Sequence, residues 1–153
     1  MKTLTAILLL ISLQSYADES ELCLTQALYF EARGQGIEGM FAVAEVILSR
    51  VDSWKYPHTI CAVTRQTKSE VYYRCQFSYW CDRKSDYPSL TVPSMRSWKL
   101  AGTIARAFLA GDMYLPVNGY TVYVRCDSIP NYWDMSKLIG VKVIGDHCFY
   151  EEV

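Results

Sequence analysis

Glu31 is the residue in this chain best suited to proton chemistry. It stands in the string Ala27-Leu28-Tyr29-Phe30-Glu31-Ala32-Arg33-Gly34, just before a glycine that ends a helical pattern. Aromatic neighbours can desolvate a carboxylate and raise its pKa, as a general acid working near neutral pH requires. The C-terminal end of a helix acts in the same direction, because its partial negative charge disfavours another. Arg33 would oppose both effects if it paired with Glu31. Pattern alone does not separate this reading from a solvated surface glutamate. Glu45 is the odder carboxylate. It sits inside the apolar run Met40 to Leu48, and a buried carboxylate must find a partner; Arg50 is a candidate. Glu38 lies one heptad before Glu45, so the two can share a helix face. Either could serve as a second carboxylate for glycoside hydrolysis.

Other chemistries find little support. The chain has no Gly-x-Ser-x-Gly nucleophile elbow, no His-Glu-x-x-His pair and no phosphate-binding glycine loop. With two histidines and no Cys-x-x-Cys, neither a metal site nor a cofactor is expected. A Cys/His peptidase would need one free thiol beside His58 or His147, whereas the six cysteines form an even set.

The elements that must position Glu31 follow from periodicity. Leu24 and Leu28, one turn apart, predict a helix over 21–33, with Ser20 as its cap. Ile37, Phe41, Ala44, Leu48 and Val51 predict a second helix over 37–51. Val43, Val46 and Ile47 widen its apolar surface, which makes it central. Residues 64–92 show no sustained period and read as a long loop, of the kind that usually carries function. Its aromatic residues Tyr72, Tyr73, Phe77, Tyr79, Trp80 and Tyr87 are candidates to line a sugar-binding groove. A third helix is expected over 94–110, capped by Ser94 and stopped by Gly111. Beyond Pro116, Tyr120 to Val124 and Val141 to Ile144 suit short strands, with a helical turn near Trp133 to Leu138 between them. The expected fold is a helix-dominated α+β domain with short strands in its C-terminal half.

The N-terminus reads as an export signal over residues 1–17. Lys2 precedes the apolar run Leu4 to Leu13, and Ser15-Tyr16-Ala17 resembles a small-residue cleavage site. The domain proper is then 18–153. The apolar run is about half the ~20 residues that a spanning helix needs, so no membrane span is expected after cleavage. All six cysteines lie beyond the signal, which predicts disulfides in an oxidising compartment, periplasmic or extracellular. Six cysteines leave the pairing open; Cys75 with Cys81 and Cys126 with Cys148 are the local possibilities. A net charge of −1 offers no electrostatic case for nucleic acid or an anionic membrane.

Four stretches, in order, resemble the SleB-type cell-wall hydrolases. The first is Leu24 to Val51, with Tyr29-Phe30-Glu31-Ala32-Arg33-Gly34, Glu38-Gly39, Val43-Ala44 and Ile47-Leu48-Ser49-Arg50-Val51. The second is Tyr56-Pro57-His58-Thr59-Ile60-Cys61, and the third Cys75-Gln76-Phe77-Ser78 with Cys81-Asp82. The fourth is Pro130-Asn131-Tyr132-Trp133, followed by Ile144-Gly145-Asp146-His147 and Phe149-Tyr150. The resemblance implies a lysozyme-like fold related to lytic transglycosylases, with glycan strands of peptidoglycan as partner. It implies Glu31 as the catalytic acid/base, with Gln76, Ser78 and Tyr123 as substrate-binding residues. The mechanism it implies needs only one carboxylate, because the sugar's own 6-hydroxyl attacks. The chain departs from the family at Gln35, where glutamate is usual, and at Met40, where glutamine is usual. It departs again at Val122 and Val124, which stand where the family usually carries two histidines.

Overall fold

In a computed structural model, the chain is described over residues 2–67, 75–113 and 119–153, with side chains from Ala17 onward. The groove candidates Tyr72 and Tyr73, and the strand boundary at Pro116, lie outside the described residues. The first helix, α1, spans Lys2–Ala32, far longer than the expected 21–33. No glycine or proline interrupts this stretch, so nothing stops the helix between the apolar run and the core segment. Ser20 is accordingly not a cap; it lies buried inside the helix. Cys23, Leu24, Ala27 and Leu28 are fully buried. Their three-to-four spacing makes the inner face of α1, and truncating either leucine to alanine would cost about 2–5 kcal/mol.

Gly36, at φ +70°, turns the chain into α2, Gly36–Asp52. This helix is the central one. Met40, Val43, Ala44 and Ile47 join the main core against α1, while Ala42 and Val46 pack on Phe149 on the other side. Ile37 was expected in the buried stripe and is instead exposed, because it precedes the packed turns. A short helix absent from the sequence reading, α3, covers Ile60–Thr64; the Thr59 side chain caps it by accepting from Ala62 N at 3.2 Å. The last helix, α4, spans Val92–Leu109, two residues earlier than expected, with Pro93 in its first turn. Ser94 does not cap it; its hydroxyl takes a hydrogen bond from Ser89 Oγ at 2.8 Å.

The C-terminal half builds an antiparallel sheet in the order β1-β3-β2, with β1 at Val122–Arg125, β2 at Leu138–Ile144 and β3 at His147–Glu152. A 3-10 turn at Met135–Lys137 sits where a helical turn was expected. The third strand was not foreseen. Its signal was present, because Gly145-Asp146 is a two-residue hairpin turn pairing Ile144 with His147. Gln35 holds that turn against the α1–α2 corner. Its Oε1 accepts from Asp146 N at 3.0 Å, and its Nε2 donates to Asp146 Oδ2 at 3.3 Å. A glutamate here would set two carboxylates against each other, so Gln35 and Asp146 suit one another as a pair. Gly145, at φ +56°, lies so close to Gln35 that a Cβ would collide with it.

Three disulfides staple these parts. Cys23–Cys61 joins α1 to α3, Cys75–Cys81 closes a short loop, and Cys126–Cys148 ties the end of β1 to β3. Both local pairings considered from the sequence are therefore present. Among the described residues no helix is long and apolar enough to cross a membrane.

Candidate active site

Glu31 sits in the last turn of α1 and faces the sheet. The Tyr123 hydroxyl, from the middle of β1, donates to Glu31 Oε2 at 3.1 Å. Phe30 beside it stacks on Tyr79 with ring centres 5.0 Å apart. Burial raises the Glu31 pKa above the usual carboxylate range. The Tyr123 hydrogen bond and the Arg50 charge pull it partly back. Arg33 does not pair with Glu31, as the sequence had left open. It donates to the Tyr29 hydroxyl at 2.8 Å and lies over that ring.

The cleft in front of Glu31 holds about 260 Å³ and brings together the four residues that the family resemblance implies for the site: Glu31, Gln76, Ser78 and Tyr123 all line it. Gln76 and Ser78 are carried on the loop that Cys75–Cys81 closes. A second cavity of about 280 Å³ shares Arg50, Gln76 and Tyr123 with the first and extends to Tyr132, Trp133 and Lys137. Val124 lines the first cavity and Val122 the second. Neither Glu38, which is exposed, nor Glu45 lines either cavity. Glu45 is buried and has its pKa raised by that burial, with only the Lys142 charge to offset it. Among the described residues, Glu31 is thus the one carboxylate in its cleft.

Three charged or titratable cleft residues, Arg50, Arg125 and His147, were not assigned to the site from the sequence. Arg50, considered there as a partner for Glu45, turns the other way; its Nε donates to the Thr121 carbonyl at 2.7 Å. An arginine on the apolar face of a central helix was the available signal. His147 lines the cleft from β3, edge-on to Tyr123 with ring centres 5.6 Å apart. Burial lowers its pKa, so the imidazole is neutral over most of the physiological range. Of the aromatic groove candidates, Phe77 and Tyr79 belong to the core instead, at 1% and 5% exposure. Trp80 lies under the Arg65 guanidinium, and Tyr87 packs near Trp98.

A helical body, a small antiparallel sheet and a desolvated carboxylate in the cleft between them make the architecture of lysozyme-like glycosidases. The chain belongs to the cell wall hydrolase family, whose model matches residues 34–150. That span holds Gln76, Ser78 and Tyr123; Glu31 falls just before it. Among solved structures, the catalytic domain of the germination-specific lytic transglycosylase SleB from Bacillus anthracis is 25% identical, with a TM-score of 0.61 over 86% of this chain and 93% of that one. The catalytic domain of the Bacillus cereus SleB protein is 22% identical, with a TM-score of 0.57 over 87% of this chain and 91% of that one. No curated protein matches the chain.

Proposed function

We propose that the chain is an exported peptidoglycan glycosidase acting as a lytic transglycosylase, with Glu31 as its acid and then its base. The observation that carries this reading is a desolvated carboxylate alone in its cleft, bonded by Tyr123. Protonated Glu31 gives its proton to the glycosidic oxygen between N-acetylmuramic acid and N-acetylglucosamine as the C1–oxygen bond breaks. The resulting carboxylate takes the proton of the muramyl 6-hydroxyl as that oxygen bonds to C1, leaving a 1,6-anhydro end. An internal nucleophile is already in place, so no second carboxylate has to position water. Tyr123 and the Arg50 charge both favour the carboxylate that forms between the two proton transfers. Mass spectrometry of digested wall tests the reading. Anhydro ends are expected, whereas reducing ends would mean hydrolysis, and wall binding without soluble fragments would mean a non-catalytic binder. The valines at 122 and 124 motivate that last alternative; His147 weighs against it, because it supplies an imidazole to the same cleft.

Cleavage after Ala17 fits this reading. Among the described side chains, the contacts of α1 with the core begin at Ser20, so the trimmed helix keeps them.

The pH dependence has a definite sign. A general acid works in its protonated form, so activity falls as pH rises through the Glu31 pKa, which burial has moved upward. The Tyr123 hydroxyl favours the ionised form. Tyr123→Phe should therefore shift the alkaline limb of kcat/KM to higher pH while lowering its maximum. A limb that stays in place or moves down in pH would show that the bond to Glu31 does not operate in solution.

A further inference from the structure

Arg50 is only 2% exposed, and it lines both cavities. Several contacts hold it in place. Nε donates to the Thr121 carbonyl at 2.7 Å, and the guanidinium carbon lies 5.2 Å from the Tyr56 ring centre and 5.5 Å from that of Phe77. Yet Nη1 has no acceptor among the described residues. A guanidinium is a planar fork of five donors, and a buried one with donors to spare favours an incoming acceptor.

The surrounding charges say which kind. In the second cavity Arg50 and Lys137 face Asp134 and Glu152. Lys137 lies 3.8 Å from Asp134, and Glu152 accepts from the Tyr56 hydroxyl at 3.2 Å. These charges balance, so an incoming carboxylate would meet two others, while a neutral carbonyl would not. Val122, Leu138 and Trp133 add apolar surface to the same cavity. A neutral carbonyl with a methyl attached is an acetyl group. We propose that Arg50 is a substrate-binding residue whose guanidinium takes the acetamido carbonyl of an N-acetylated sugar in the second cavity, with the acetyl methyl against Val122, Leu138 and Trp133. This deepens the glycosidase reading and rests on it.

The probes are the tetramer of N-acetylglucosamine and cellotetraose, both uncharged and differing in the acetamido group. Calorimetry on the whole chain should find the acetylated tetramer bound about tenfold or more tightly, the effect of one hydrogen bond to a charged group. Arg50→Gln and Arg50→Lys should each close most of that gap; Arg50→Lys keeps the charge near Glu31 but not the fork. If neither variant folds, the wild-type chain decides alone. Its Arg50 Nε–H resonance should shift with the acetylated tetramer and hold still with cellotetraose. Equal wild-type affinities, a gap that survives in a folded variant, or an unmoved Nε–H signal would each overturn the proposal. Release of wall fragments is scored separately. Cleavage with no acetyl preference removes the Arg50 role and leaves the glycosidase reading. Acetyl preference without cleavage removes that reading and leaves the contact.

Discussion

Glu31→Gln should cut the release of soluble fragments from cell wall by about 10²–10⁴-fold, the usual contribution of a positioned acid/base, while leaving the fold intact. The amide keeps the shape of the side chain and can still accept from Tyr123, so the loss isolates the proton. The same substitution should also raise thermal stability above the parent's, increasingly so toward alkaline pH. The folded pKa of Glu31 lies above its unfolded value. Between those two values the native state holds a proton that the unfolded chain has released. Rising pH therefore costs the parent stability throughout that window, and glutamine does not titrate. Circular dichroism melts of both proteins at several pH values check this; the gap should widen as pH rises, then level off above the folded pKa. Full activity in Glu31→Gln would end the assignment. A variant less stable than its parent at every pH would show that Glu31 is not held at a cost for chemistry.

The second large effect concerns the Cys23–Cys61 crosslink. It spans 38 residues, and closing a loop of that length restrains the unfolded chain by about 4 kcal/mol in the chain-entropy account. Replacing both cysteines with alanine should lower Tm by about 10 °C or more in a domain of this size. Packing adds to the loss, because Cys23 is fully buried on the inner face of α1 beside Leu24 and Ala27. Neither cysteine lines the cleft, so activity per folded molecule should persist at temperatures where the variant stays native. Differential scanning calorimetry, paired with a fragment-release assay well below the transition, separates the two effects. A shift of under about 2 °C would mean that the bridge contributes little to stability.

Much of this was legible in the chain, for identifiable reasons. The helices announced themselves where an apolar stripe had a clear period, as in α2 and α4. They were missed where local chemistry decides the matter: α3 is a single capped turn, and β3 depends on a two-residue glycine turn. The start of α1 was misplaced because a cap was sought at Ser20, although nothing in the preceding stretch stops a helix. Glu31, Gln76, Ser78 and Tyr123 meet in one cleft, although they are dispersed from residue 31 to residue 123. Periodicity could not have gathered them; a motif resemblance could. Arg50 was visible but misassigned. Spacing along α2 put it near Glu45 in sequence, while the side chain reaches toward Thr121 on the sheet side. Phe77 and Tyr79 were read as groove residues because aromatic rings in a polar loop suggest a wet surface, but the Cys75–Cys81 loop folds them into the core.

That same loop bears on when the enzyme can act. Gln76 and Ser78 line the Glu31 cleft from a loop that the Cys75–Cys81 bridge closes. In a reducing cytosol those thiols stay apart. On the proposed reading, a freshly made chain with this loop unbridged would hold Glu31 without a fixed opposite side to its cleft. If the chain is exported as proposed, oxidation after transport would complete the cleft beside the polymer it cuts, and not beside the ribosome that made it. Recombinant protein made in a reducing cytoplasm would need its thiols paired before any assay could speak for the native enzyme.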